Sequence, residues 1–217
     1  MRAGRQALFE GLLPKIKINT GVVGTGSLDP CSLYKFPVDE VWLEIGFGGG
    51  EHLVAQAVDN PNVALMGCEP FVDGVGKVLA EIERGNIRNI RIYDDDARFL
   101  LDALEGQCLD RVFLLYPDPW PKKRHHKRRF VNEETIRQMA RVIKPGGIWL
   151  MATDIMDYAR WMLAHMEKTE NFSWMAECSS DWQFPPDRWP GTRYEQKAME
   201  QGRHPVYLRF QRSTEKL

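Results

Sequence analysis

The sequence predicts an α/β protein built on one doubly wound, seven-stranded sheet whose last strand is antiparallel. Two observations carry this. From residue 41 onward, short apolar runs alternate with helical stretches, the pattern of a parallel sheet covered on both faces. After the fifth strand–helix unit the alternation stops, and two further apolar runs close the chain. At 217 residues there is enough chain for one such core and too little for two large ones.

Taken in order, residues 1–37 carry no clean periodicity. Arg2, Arg5, Lys15 and Lys17 make the segment basic, and Gly21, Gly24, Gly26 and Pro30 make it loop-like. It reads as a partly mobile N-terminal basic arm, with the main domain spanning 38–217. VWLEI (41–45) reads as a buried strand, followed by the glycine loop 46–50 and a helix from Glu51. ALMGCE (64–69) is a second strand, then an amphipathic helix over 72–84. NIRIYDD (89–95) is a third, followed by a helix over 97–104, and RVFLLY (111–116) a fourth. A basic loop and a helix over 133–143 come next, then GIWLMATD (147–154) and a helix over 158–169. Runs 174–178 and 206–211 read as the last two strands, separated by the Pro/Gly-rich segment 184–205.

Composition is that of an ordinary globular protein, 43% hydrophobic and 27% charged, with a formal net charge of −1. Any basic cluster is therefore local, which favours one positive face over a generally cationic molecule. The four cysteines, Cys31, Cys68, Cys108 and Cys178, form no CxxC pair and read as reduced thiols of a cytoplasmic protein. The five histidines include no HExxH, so no metal site is expected. The apolar stretch 8–13 is broken by Glu10 and Gly11, which argues against a signal peptide or membrane span.

The glycine loop, EIGFGGGE, follows a strand and opens a helix. Gly46 and Gly48 fit a dinucleotide fingerprint, but its third glycine position holds Glu51, a carboxylate where a pyrophosphate must go. No GK[ST] follows, so a P-loop fails as well. What survives is a Rossmann-like loop for a ligand without phosphate, and S-adenosylmethionine fits. Glu44 can attract its ammonium, and Glu69, at the end of the second strand, suits a ribose. Asp94, Asp95 and Asp96 all compete to accept from the adenine amino group. Acids at three successive strand ends form the crevice expected of a doubly wound sheet.

The fourth strand runs into YPDPWPKKRHHKRR (116–129), a stiff Pro-Asp-Pro-Trp turn followed by six Lys/Arg within eight residues. A carboxylate and an indole at a strand mouth can hold a base while the cations hold phosphates. Together with LEIGFGGGEHL, GCEP, DDDA, ATD and GTRYEQKAMEQGRHPVYLRF, this stretch resembles the bacterial tRNA (guanine-N7-)-methyltransferases of the TrmB type, class I methyltransferases dependent on S-adenosylmethionine. The resemblance covers residues 41–210. It implies that Glu44, Gly46, Gly48, Glu69, Asp96 and Asp118 serve the methyl donor, Asp96 because it directly precedes Ala97. Asp118 is further implied to be catalytic. Lys122, Asp154, Thr192, Arg193, Tyr194 and Glu195 match substrate-binding positions, and Arg124, His125, His126, Lys127, Arg128 and Arg129 match an RNA-contacting stretch. The implied substrate is tRNA, methylated at a guanosine of its variable loop, by a monomer or a homodimer. Pro121, Lys123 and Tyr194 are mild departures, and the arm is poorly matched.

The residues support this reading independently. Guanine N7 presents a lone pair at neutral pH, so the chemistry needs positioning and a nearby negative charge and no strong base. Asp118 between two prolines supplies that charge, Trp120 a stacking face. Glu195 can accept from the guanine N1–H and amino group, which adenine cannot mimic, and Thr192 can add a hydrogen bond. Three rivals remain. An exocyclic-amine methyltransferase usually has two adjacent prolines after its acid, and here only Pro119 follows Asp118. A non-catalytic RNA-binding module leaves the acids unexplained. A nicotinamide oxidoreductase lacks the third glycine.

Overall fold

The computed structural model describes residues 3–21 and 26–214; Arg2 and Gly24 of the expected arm lie outside them. A seven-stranded sheet runs in the order β3-β2-β1-β4-β5-β7-β6. The strands are β1 (Glu40–Ile45), β2 (Val63–Cys68), β3 (Ile90–Tyr93), β4 (Leu109–Leu115), β5 (Ile143–Thr153), β6 (Phe172–Trp174) and β7 (Val206–Arg212). All pairings from β3 to β5 are parallel, whereas β7 lies antiparallel to both β5 and β6. The sheet therefore has six strands in one direction and β7 reversed, as the sequence predicts.

Side-chain alternation along β1 shows how both faces are covered. Val41, Leu43 and Ile45 enter one core layer, with Leu100, Ile136 and Tyr158 from the helices above it. Trp42 enters the other, with Leu53, Val78 and Leu79. The first layer is covered by α5 (Ala97–Ala103), α6 (Glu133–Val142) and α7 (Met156–Met166), the second by α3 (Glu51–Asp59) and α4 (Val72–Gly85). Order reverses between β1 and β4, so the C-terminal ends of those strands diverge into a crevice at the switch point.

Three stretches differ from expectation. Residues 1–37 are not simply loop: α1 (Ala3–Gly11) and α2 (Leu13–Ile16) form, and Leu13 and Ile18 are buried. The arm is held by an Arg5–Asp73 ion pair at 2.8 Å and by Phe9 against Gly76 of α4. Both are long-range contacts, invisible to local periodicity. The segment 184–205 contains α9 (Arg193–Glu200), preceded by the short α8 (Ser180–Gln183). The sixth strand lies two residues earlier than 174–178, because Phe172 is the residue buried against the core.

Candidate active site

The glycine loop leaves β1 through Gly46 at φ +73° and Gly48 at φ +56°. A Cβ at Gly46 would meet no atom within 4 Å, so it would project into open space where a ligand can lie. Glu69, only 8% exposed, fastens the loop after β1 to the loop after β2. Its Oε2 accepts from the Gly48 amide at 2.8 Å and its Oε1 from the Phe71 amide at 2.9 Å. Each oxygen retains a lone pair for ligand hydroxyls. Of the three competing aspartates, Asp94 pairs with Lys17 at 2.7 Å. Asp95 and Asp96 line the crevice, and Asp96 caps α5 by accepting from the Arg98 amide at 3.0 Å.

The crevice is a cavity of about 940 Å³. Gly46, Gly48, Glu69 and Asp96 line one side, Asp118, Trp120, Lys127 and Arg128 the other. Glu44 is not on its wall. That carboxylate is 4% exposed and its Oε2 meets the His52 Nδ1 at 2.7 Å, on the α3 side of β1. The expected direct ammonium contact is therefore corrected to a buried tie beneath the loop. His52, itself packed on Phe113 and Trp189, escaped sequence reasoning because nothing local marks a histidine as a carboxylate's partner. Open backbone at Gly46, carboxylates with spare lone pairs and Glu51 at the start of α3 suit a ligand bearing hydroxyls and amines but no phosphate. S-adenosylmethionine fits these residues. Phe71, which is 67% exposed and lines the cavity, adds an apolar face that the sequence reading missed.

At the end of β4 two non-glycine residues, Tyr116 (φ +51°) and Trp120 (φ +42°), hold left-handed backbone on either side of Pro-Asp-Pro. Each costs roughly 1–3 kcal/mol and persists only where the surroundings over-determine it. The turn presents Asp118 at the cavity, exposed, and among the described residues no hydrogen bond or ion pair engages its carboxylate. Arg128 lies over the Trp120 ring at 4.8 Å, and His125 meets its edge.

The basic segment is a 3-10 helix over Lys123–Arg128, not an open loop. Lys127 and Arg128 reach the cavity rim, while Lys122 and Arg124 are exposed beyond it. Two members of the expected RNA-contacting stretch face inward. His126 packs on Trp161 with its Nε2 out of solvent. Arg129 is 2% exposed, donates from Nε to the Pro119 carbonyl at 2.8 Å and pairs with Asp157. Its charge is already neutralised, so Arg129 is not a phosphate ligand in this conformation.

The TRYE segment forms the start of α9. Thr192 caps the helix by accepting from the Glu195 amide at 3.1 Å. Arg193 and Tyr194 line the cavity, with Tyr194 so close to Gly48 that a Cβ there would lie 2.9 Å from its ring. Glu195 points the other way. It is 7% exposed, with Oε2 accepting from Trp189 Nε1 and Oε1 from the Tyr207 hydroxyl, both at 2.6 Å. The expected guanine contact is corrected accordingly: in this conformation Glu195 anchors α9 to β7. Asp154 likewise pairs with Arg203 at 2.5 Å.

Residues 39–208 match the family model described as "Putative methyltransferase". The chain is 46% identical to the tRNA (guanine-N(7)-)-methyltransferase of Rhodospirillum rubrum, over 98% of this chain and 84% of that one. It is 53% identical to the enzyme of the same name from a Ruegeria species, over 82% and 69%. The chain belongs to the bacterial tRNA (guanine-N7-)-methyltransferase family. Among solved structures, the 16S rRNA methyltransferase KamB aligns with a TM-score of 0.64 at 16% identity, over 88% of this chain and 99% of that one. A Streptococcus mutans "putative methyltransferase" solved with SAH aligns at 0.52 and 10% identity, over 94% and 97%. At such identity the likeness is one of fold. Within this tRNA (guanine-N7-)-methyltransferase family member, no group of three or more His, Cys, Asp or Glu side chains among the described residues is placed to hold a metal ion. Among the described residues, no helix is long and apolar enough to cross a membrane.

Proposed function

We propose that the protein transfers a methyl group from S-adenosylmethionine to N7 of a guanosine in tRNA. The observation that carries the reading is the placement of Asp118, a carboxylate without a partner among the described residues, on a stiff turn between the glycine-loop wall and the basic 3-10 helix. When bound, the donor supplies an electrophilic methyl on a cationic sulfur. Glu69 and Asp96 hold hydroxyl and amino groups on the donor side, and Phe71 offers a ring face. Trp120 stacks the target base, and Lys127 and Arg128 hold flanking phosphates, with Lys122 and Arg124 extending that track. Asp118 keeps a fixed negative charge beside the imidazole ring as that ring becomes positive, the preorganised electrostatics that lowers such a barrier. N7 carries its lone pair at neutral pH, so no side chain has to remove a proton first.

The test is methyl transfer to unmodified total tRNA, with the product nucleoside identified by mass spectrometry. 7-Methylguanosine is expected. Methylation on an exocyclic amine, or donor binding without turnover on any tRNA, would overturn the reading.

A further inference from the structure

The basic stretch ends in two arginines that face opposite ways. Arg128 lies at the cavity rim over Trp120, and Arg129 is buried behind it. The Arg129 guanidinium lies over the Tyr158 and Trp161 rings of α7, at 5.0 and 4.9 Å, and pairs with Asp157 on that helix's first turn. The same guanidinium donates from Nε to the carbonyl of Pro119, at 2.8 Å. Neighbouring contacts seat the rest of the segment on α7: Trp161 Nε1 donates to the Val131 carbonyl at 2.7 Å, and the His126 ring packs on Trp161.

We propose that Arg129 is the positioning residue of the catalytic turn, locking the Pro119–Trp120 peptide so that Asp118 and Trp120 meet the base in one orientation. The proposal rests on the methyl-transfer reading above. Trp120 stands at φ +42°, so its peptide plane needs an external restraint, and among the described residues the Pro119 carbonyl has no hydrogen-bond donor other than Arg129. Asp118 immediately precedes the held residue, and a shift of the peptide moves its carboxylate relative to the cavity. Planarity suits arginine to this place: one face lies on aromatic rings while separate N–H groups reach a carbonyl and a carboxylate. Lysine can keep the charge and a single hydrogen bond, but not both bonds and the stacking together. The consecutive arginines thus divide the work, Arg128 toward the RNA and Arg129 toward the turn.

The test uses the full chain with Arg129→Lys, Asp157→Asn and Arg128→Ala, and labels the tryptophans with fluorine so that the Trp120 resonance, assigned by Trp120→Phe, reports on the turn. For Arg129→Lys the single-turnover rate at saturating tRNA and donor should fall roughly ten- to a hundredfold, the cost of a small misplacement. The salt slope of tRNA affinity should stay at the wild-type value, and the Trp120 resonance should split or broaden. Arg128→Ala should instead flatten the salt slope by about 0.7–0.9. Asp157 is exposed, so Asp157→Asn carries the test if Arg129→Lys does not fold; its rate should fall less, in the same direction, with the same change at Trp120. A flattened slope with an intact saturated rate for Arg129→Lys would make Arg129 a phosphate ligand and overturn the proposal. A lowered melting temperature with unchanged rate and resonance would overturn it too. If the wild type methylates no tRNA, the functional reading fails by itself, and the Trp120 resonance alone decides whether Arg129 holds the turn.

Discussion

Two carboxylates on opposite sides of the cavity have separable tasks. Asp118→Asn preserves shape and removes charge, so turnover should fall at least about 10²-fold with donor and tRNA affinity much less affected. Single-turnover kinetics checks this, and a near-normal rate would reduce Asp118 to a turn residue. Glu69→Ala should act on the donor instead. Losing a carboxylate that also fastens Gly48 and Phe71 should weaken donor binding by roughly 1.5–3 kcal/mol, about 10- to 150-fold, as calorimetry would read it. Affinity for tRNA should stay as it was. At this scale the sequence was readable for the position of residues placed by strand ends and turns: Glu69, Asp96 and Asp118 all line the cavity. It was not readable for Glu44, Glu195 and Arg129, whose partners His52, Tyr207 and Asp157 lie on other elements. Residue type says that a carboxylate or guanidinium needs a partner; only the packed chain says whether that partner is a ligand or the protein itself.

The strands were legible as elements because those buried on both faces read as continuous apolar runs, and the helices between them because their apolar positions recur at helical spacing. The N-terminal helices were not, since Leu13 and Ile18 acquire their core only from α4 and β3, far along the chain. For α9, TRYE is itself a helix-start signature, obscured by the surrounding prolines and glycines. Its anchorage is testable. Glu195→Ala would leave Trp189 Nε1 and the Tyr207 hydroxyl without their acceptor, each such loss costing roughly 1–3 kcal/mol. A clear drop in melting temperature is expected, and an unchanged melting curve would show that α9 is held by other contacts. The link from the basic segment to α7 carries a pH dependence of definite sign. The Arg129 guanidinium holds the Asp157 carboxyl below the usual carboxylate range, so the tie is complete at neutral pH and is lost as pH falls through that lowered value.

Across the whole molecule, everything chemical gathers where the strand order turns outward in both directions, between β1 and β4. The two outermost strands carry a different burden. Any open sheet ends in rows of unpaired amides and carbonyls that can recruit another chain. At one end β6 is only three residues long, too short to template much. At the other, Lys17 bridges β3 in parallel and the Ile18 amide donates to the Ile92 carbonyl at 2.8 Å, so the arm shields that border. The N-terminal segment thereby occupies part of an edge that would otherwise offer its amides and carbonyls to another chain. A chain cut after Thr20 should form larger species than the full chain at the same concentration, in sedimentation and light scattering. If the shortened chain keeps the size distribution of the full one, the exposed border of β3 is harmless, and the arm's value lies in the burial of Leu13 and Ile18 alone.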